Sequence, residues 1–250
     1  CSAECLVLSR QKAPTAEVRQ AKLEERLLSG VQAYLNKHPG RHVHLNKPVI
    51  NKNHPTSHEM VLMLSDAHYP EVVDPEVAMG LSYNADICAR RLERTRDVVL
   101  RYKQIRETSY PIKKLTVAML GDMLSGSIHE ELEVTNQFPT PVALVNLAYL
   151  LHDMFFSLAK VFPEVEVVAI PGNHPRLTMK PRFKQKTTTN FEYVLGHFIA
   201  ALAQSAYKVT VPKDLVYVHS VFTYRLGLTH GDGVQSNSFA GIPFYGIRQR

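Results

Sequence analysis

Val61-Leu62-Met63-Leu64-Ser65-Asp66-Ala67-His68 and Leu115-Thr116-Val117-Ala118-Met119-Leu120-Gly121-Asp122 are the stretches that decide the fold. Each opens with a short, mostly apolar run, the length of a strand buried on both faces, and breaks abruptly into polar residues. A third run, residues 165–170, ends the same way in Pro171-Gly172-Asn173-His174. Between and after these runs, residues 84–106, 141–161 and 191–206 carry apolar residues at helical spacing over helical length. Strand and helix in alternation predict a layered α/β domain. Further on, residues 215–223 and 224–229 read as adjacent strands able to form a hairpin.

Outward from this nucleus the pattern changes. Over residues 15–36, Leu23, Leu27, Leu28, Val31, Tyr34 and Leu35 recur as the face of an amphipathic helix, with Thr15 placed to cap it. Residues 37–59, rich in Asn, His, Lys and Pro, read as a connector with one short strand around 42–45. The expected organisation is therefore a helical extension and connector over 1–59 and the main domain over 60–250. With 250 residues, 45% of them hydrophobic, 21% charged, and only 12 Gly and 15 Pro, disordered and collagen-like chains are excluded. No unbroken apolar run approaches the ~18 residues of a membrane span. Cys1, Cys5 and Cys88 are too few and too scattered for a disulfide framework, and no signal peptide precedes them. The chain therefore reads as cytoplasmic.

The formal net charge of +6 is unevenly spread. Residues 61–175 are acidic on balance, whereas residues 176–186 hold Arg176, Lys180, Arg182, Lys184 and Lys186 without one acid. Such a run is either a solvated loop or a local anion site.

The chemistry sits at the strand ends, where α/β sheets place their ligands. Asp66 and His68 follow the first run, Asp122 the second, Asn173 and His174 the third. His230 follows Arg225-Leu226-Gly227-Leu228. Carboxylate oxygen and neutral imidazole nitrogen ligate divalent ions of intermediate hardness, and one carboxylate can bridge two ions. Singly these motifs are weak; their order, Asp-x-His, Gly-Asp, Gly-Asn-His, His-Gly, is specific.

In that order, over about residues 60–235, the chain resembles the calcineurin-like metallophosphoesterases, and its flanking segments look most like phage- and prophage-encoded members. The resemblance implies a four-layer αββα sandwich with two divalent ions, Mn before Fe, Zn or Mg. It implies that Asp66 and His68 bind the first ion, Asp122 bridges, Asn173 and His230 bind the second, and His174 is the catalytic imidazole. The implied activity is hydrolysis of phosphodiester bonds, with a nuclease acting on DNA as the leading reading. Beside that site the basic run gains a substrate-facing role, with Arg176 on the scissile phosphate and Lys180 and Arg182 on its neighbours. A phosphomonoesterase acting on nucleotides or phosphoproteins and a catalytically degenerate DNA-binding or assembly module are the alternatives.

Three departures accompany the resemblance. The usual closing Gly-His-x-His does not follow His230, so the chain is read as a fragment, with His129, His152, His197 and His219 as candidate substitutes. Ser125 stands where the Gly-Asp motif often has a second Asp, and Pro175 where an acid usually follows Gly-Asn-His.

Overall fold

The computed structural model describes residues 58–128, 130–180 and 185–233. The elements are β1 (His58–Leu64), α1 (Ala85–Glu107), β2 (Ile112–Met119), α2 (Glu130–Thr135), α3 (Thr140–Ala159), β3 (Glu164–Ala169), α4 (Phe191–Ala203), β4 (Lys208–Thr210), β5 (Tyr217–Val221) and β6 (Tyr224–Leu228). Strands β1 to β4 form one parallel sheet in sequential order, with Leu62 opposite Val117 and Val117 opposite Val167. Strands β5 and β6 form an antiparallel hairpin in which Tyr217 faces Leu228. The α/β architecture expected from the alternation is present.

Each element has a local cause. Asn84 caps α1 by accepting from the Ile87 N–H at 2.9 Å, and Ala85, Cys88, Leu92 and Val99 form its buried stripe. Pro141 lies in the first turn of α3, where its missing N–H costs no helical bond. By length and composition α3 is apolar enough to cross a membrane, although Asn146, His152 and Asp153 interrupt its apolar run. Most of it is buried inside the fold, as befits a core helix: Leu147, Leu151, Phe155 and Leu158 are all fully buried.

The two faces of the parallel sheet are used differently. Leu115, Val117 and Met119 of β2, with Val165, Val167 and Ala169 of β3, pack in one core with α1, α3 and α4. Ala118, Val168 and Ile170 meet Leu228 and Tyr217 of the hairpin instead. Thr116 hydrogen-bonds across this second interface to His219 Nε2 at 3.0 Å. The layers among the described residues are thus helices, sheet and hairpin; a fourth, helical layer over the hairpin is not among them. Because β1, β2 and β3 run parallel, their C-terminal ends lie at a common edge, and the three crossover helices all cover one face.

The expected strands and long helices recur with ends shifted by at most three residues. Two elements were not anticipated: β4, a three-residue edge strand, and the six-residue α2. The expected helix over 15–36 and the strand near 42–45 lie outside the described residues.

Candidate metal centre

Beyond the regular strands the backbone ladder continues for a few residues. Asp66 N–H donates to the Gly121 carbonyl at 3.0 Å, and His68 N–H to that of Asp122 at 2.9 Å. The chain then turns sharply through left-handed backbone at Asp66 (φ 53°), His68 (φ 46°) and Asp122 (φ 51°). Such conformations cost about 1–3 kcal/mol each for residues other than glycine and gather where function requires them. Three candidate ligands carry this strain.

The Gly-Asp and Gly-Asn-His loops touch backbone to backbone. A Cβ on Gly121 would lie 2.4 Å from Gly172 N, and one on Gly172 would lie 2.1 Å from Asp122 Oδ1. Both positions therefore require glycine for close approach. Asp122, 2% exposed, receives the contact: its Oδ1 accepts the N–H groups of Asn173 and His174, each at 2.8 Å. Its Oδ2 lies 3.1 Å from His230 Nε2. Burial alone would push the Asp122 carboxyl up, but the His230 hydrogen bond, the His174 N–H and both imidazole charges outweigh it and hold it below its ordinary range.

His230 is held at both ring nitrogens. Its Nδ1 lies 2.8 Å from the Leu120 carbonyl, to which it donates, and its Nε2 lies 2.9 Å from Asn173 Oδ1. The Asp122 hydrogen bond, working against burial, raises its pKa to about 9. An imidazole anchored at Nδ1 by a carbonyl is oriented to present Nε2 to a metal.

Two groups of candidate ligands emerge, each with its ligand atoms within 4.8 Å of one another: His68, Asp122 and His174, and Asp66, Asp122 and His230. Asp122 belongs to both. The donor set of carboxylates and imidazoles fits divalent ions such as Mn, Fe or Zn. The grouping differs in detail from that implied by the resemblance. Asp66 stands with Asp122 and His230 as well as 3.8 Å from His68 Nε2, and His174 lies edge-on to His68 with ring centroids 4.6 Å apart.

The remaining candidates are dispersed. Arg176 donates Nη1 to the Asn173 carbonyl, Nε to that of Thr178 and Nη2 to that of Met179, so its guanidinium braces its own loop. Lys180 is exposed, Lys186 is buried against Asp232, and Arg182 and Lys184 lie outside the described residues. His152 hydrogen-bonds Tyr207, His197 is exposed on α4, and His219 is buried against Thr116; none belongs to either ligand group among the described residues. His129 lies outside the described residues. Ser125 is buried, and its Oγ has no hydrogen-bond partner among the described residues.

Two acids escaped the sequence reading. Glu71 brings Oε2 to 3.9 Å from His68 Nδ1. Glu192, in the first turn of α4, is buried under both loops and accepts four of their backbone N–H groups, from Asp122, Met123, Leu124 and Gly172. Burial and the nearby Asp122 charge raise its pKa to about 7 against the pull of those N–H groups. In sequence, an acid two residues after Asn190 reads as an ordinary partner of the helix dipole.

Comparison with protein-family models, curated proteins and solved structures finds no match to this chain.

Proposed function

We propose that the chain is a dinuclear metal-dependent phosphoesterase of the calcineurin-like kind that hydrolyses phosphodiester bonds, with DNA as the substrate class. One observation carries the reading: two groups of metal-competent side chains at one sheet edge share a single buried carboxylate, Asp122. The same reading takes the sheet and hairpin as the inner layers of the four-layer αββα sandwich. Divalent ions, Mn foremost, would supply an activated water nucleophile at neutral pH and neutralise phosphoryl charge during in-line attack.

The chain's own residues have distinct parts in this reading. Asp66, Asn173 and His230 would hold one ion with Asp122, and His68 would hold the other with the same carboxylate, His174 of that group being kept for the acid. His230 keeps its Nε2 directed at that position because Nδ1 is anchored on Leu120. His174 is the imidazole beside the scissile phosphate and protonates the leaving oxygen. Its backbone N–H, fixed on Asp122 Oδ1, ties its place to that of the bridging ligand. Arg176 spends hydrogen bonds from every guanidinium nitrogen on loop carbonyls, so it supplies positive charge at the rim and a rigid platform. Lys180, with Arg182, is left to follow the flanking phosphates.

The test is hydrolysis by the full chain, with Mn²⁺ added, of bis-p-nitrophenyl phosphate, p-nitrophenyl phosphate and single-stranded DNA. The expected result is turnover of the diester and the DNA, abolished by chelation, with DNA cleavage falling steeply between 50 and 200 mM salt as phosphate contacts are screened. Turnover of the monoester alone would replace the diesterase reading with a phosphomonoesterase. Absence of any turnover would leave a binding module.

A further inference from the structure

Strand β2 ends at Met119; Leu120 N–H still reaches the Leu64 carbonyl of β1, but the N–H groups of Asp122, Met123 and Leu124 run through the interior with no backbone acceptor among the described residues. Met123 and Leu124 are fully buried, and Asp122 nearly so. Unpaired amides in such a place cost about 1–3 kcal/mol each. One side chain from a distant element satisfies them. Glu192 Oε1 accepts from Met123 and from Leu124 (3.3 Å), and Oε2 accepts from Asp122 (3.2 Å) and Gly172 (2.6 Å).

The carboxylate therefore spans two loops that are 48 or more residues apart in sequence and share no strand pairing at this point. Its own placement is over-determined. Asn190, 1% exposed, accepts the Glu192 N–H at 2.8 Å and donates Nδ2 to the Gly172 carbonyl at 2.9 Å. Phe191 N–H donates to the Pro175 carbonyl at 2.9 Å. Gly172 is thus gripped at its N–H by Glu192, at its carbonyl by Asn190, and along its Cα by Asp122.

We infer that Glu192 is a positioning residue, whose carboxylate holds the Gly-Asp and Gly-Asn-His loops at the separation that lets Asp122, Asn173 and His230 share one ion. The inference rests on the dinuclear reading above for its metal, and on the hydrogen bonds alone for its clamp. Four N–H groups converge on the two oxygens, an arrangement met in full when both oxygens accept and neither donates. A glutamine of the same length would turn an NH₂ toward two of the four N–H groups and open one side of the clamp.

The experiment compares the full chain with Glu192→Gln and, as the charge-retaining control, Glu192→Asp. Amide hydrogen exchange is followed by peptide in metal-free protein, Mn²⁺ affinity by calorimetry, and stability by urea. In Glu192→Gln, exchange over residues 121–126 and 171–174 is expected to rise at least ~10-fold while β1 to β3 stay protected, and Mn²⁺ affinity to fall ~10- to 100-fold, the usual effect of losing support behind a ligand. Glu192→Asp, which keeps two acceptors but shortens their reach, is expected to fall between. Wild-type exchange and wild-type Mn²⁺ affinity in Glu192→Gln would overturn the inference, and so would a loss of protection spread evenly over the sheet. Should the variant fail to fold, the wild type decides: the amides of Met123, Leu124 and Gly172 must be as protected as those within β2, and rapid exchange there refutes the clamp. A wild type that binds no Mn²⁺ would overturn the dinuclear reading and the metal half of this inference, while the exchange data still judge the clamp.

Discussion

Gly172→Ala adds one carbon where the two metal-bearing loops meet. That carbon would lie 2.1 Å from Asp122 Oδ1, 2.4 Å from Asp122 N and 2.7 Å from Asp122 Cγ. Comfortable contact with carbon begins near ~3.5 Å, so the loops must part by about 1 Å. None of the obstructing atoms is the free end of a flexible chain. Two are part of a buried carboxylate and one is backbone. Parting the loops stretches or breaks the hydrogen bonds from Asn173 and His174 to Oδ1, both 2.8 Å now, and exposes no water to replace them. Two weakened bonds to a buried charged acceptor amount to about 3 kcal/mol. The functional cost comes from the displaced ligand, because a shift of ~1 Å at a reacting centre is worth ~10²-fold in rate. Urea unfolding, Mn²⁺ titration and phosphodiester turnover measure the three consequences. Gly227→Ala on β6, whose added carbon meets nothing nearer than Val216 Cγ1 at 4.0 Å, is the control and is expected to stay within ~0.5 kcal/mol of the wild type. If Gly172→Ala matched that control in stability and Mn²⁺ affinity, the close approach of the loops would not be what organises the site.

Glu166→Gln tests the charged cluster on the hairpin-side face, where the Glu166 carboxylate accepts from Lys114 (2.9 Å), Lys208 (2.8 Å) and Thr210 (3.2 Å). Burial raises its pKa, the two lysines more than reverse this, and the result is about 2 against an ordinary 4.5. A lowered carboxyl pKa contributes stability that is complete above pH ~4.5 and is lost as pH falls through ~2; with Lys208 largely solvated, Glu166→Gln is expected to cost about 2 kcal/mol at pH 7 and little at pH 2 by urea unfolding. A cost that stayed constant over that window would place the effect in packing instead. His174→Ala is expected to keep wild-type Mn²⁺ binding by calorimetry and to lose ~10²- to 10⁴-fold in turnover. Loss of a bound ion in that variant would make His174 a ligand and not the acid.

The legible part of this fold was the part buried on both faces. Residues 115–120 and 165–170 are nearly continuous apolar runs because helices cover one side of the sheet and the hairpin the other; residues 61–64 lie on the edge strand, where Met63 is 69% exposed, and were legible by composition alone, and the polar ends of all three announced the site. Strand β4, with Lys208 and Thr210 on either side of Val209 at the sheet edge, has too few residues to show a period. His219 alternated with valines and could have faced either way; its bond to Thr116 turns it into the interface. The candidate ligands were legible because parallel neighbours deliver their C-terminal ends to one edge. Their grouping was not, since it depends on left-handed turns at Asp66, His68 and Asp122 that residue types other than glycine do not advertise. Arg176 read as a phosphate ligand because a guanidinium beside a phosphoryl site usually is one; that three of its five N–H donors go to carbonyls of its own loop is visible only in the fold. Glu192 was the least legible, because the loops it serves are remote in sequence and only the fold brings them over the start of α4.

The most direct test of the central claim is the number of Mn²⁺ ions bound per chain, by calorimetry and elemental analysis, in the wild type and in Asp122→Asn. A carboxylate common to both ligand groups predicts two ions in the wild type and the loss of both in the variant. One ion or none in the wild type, or two retained in Asp122→Asn, would contradict a dinuclear centre built on Asp122.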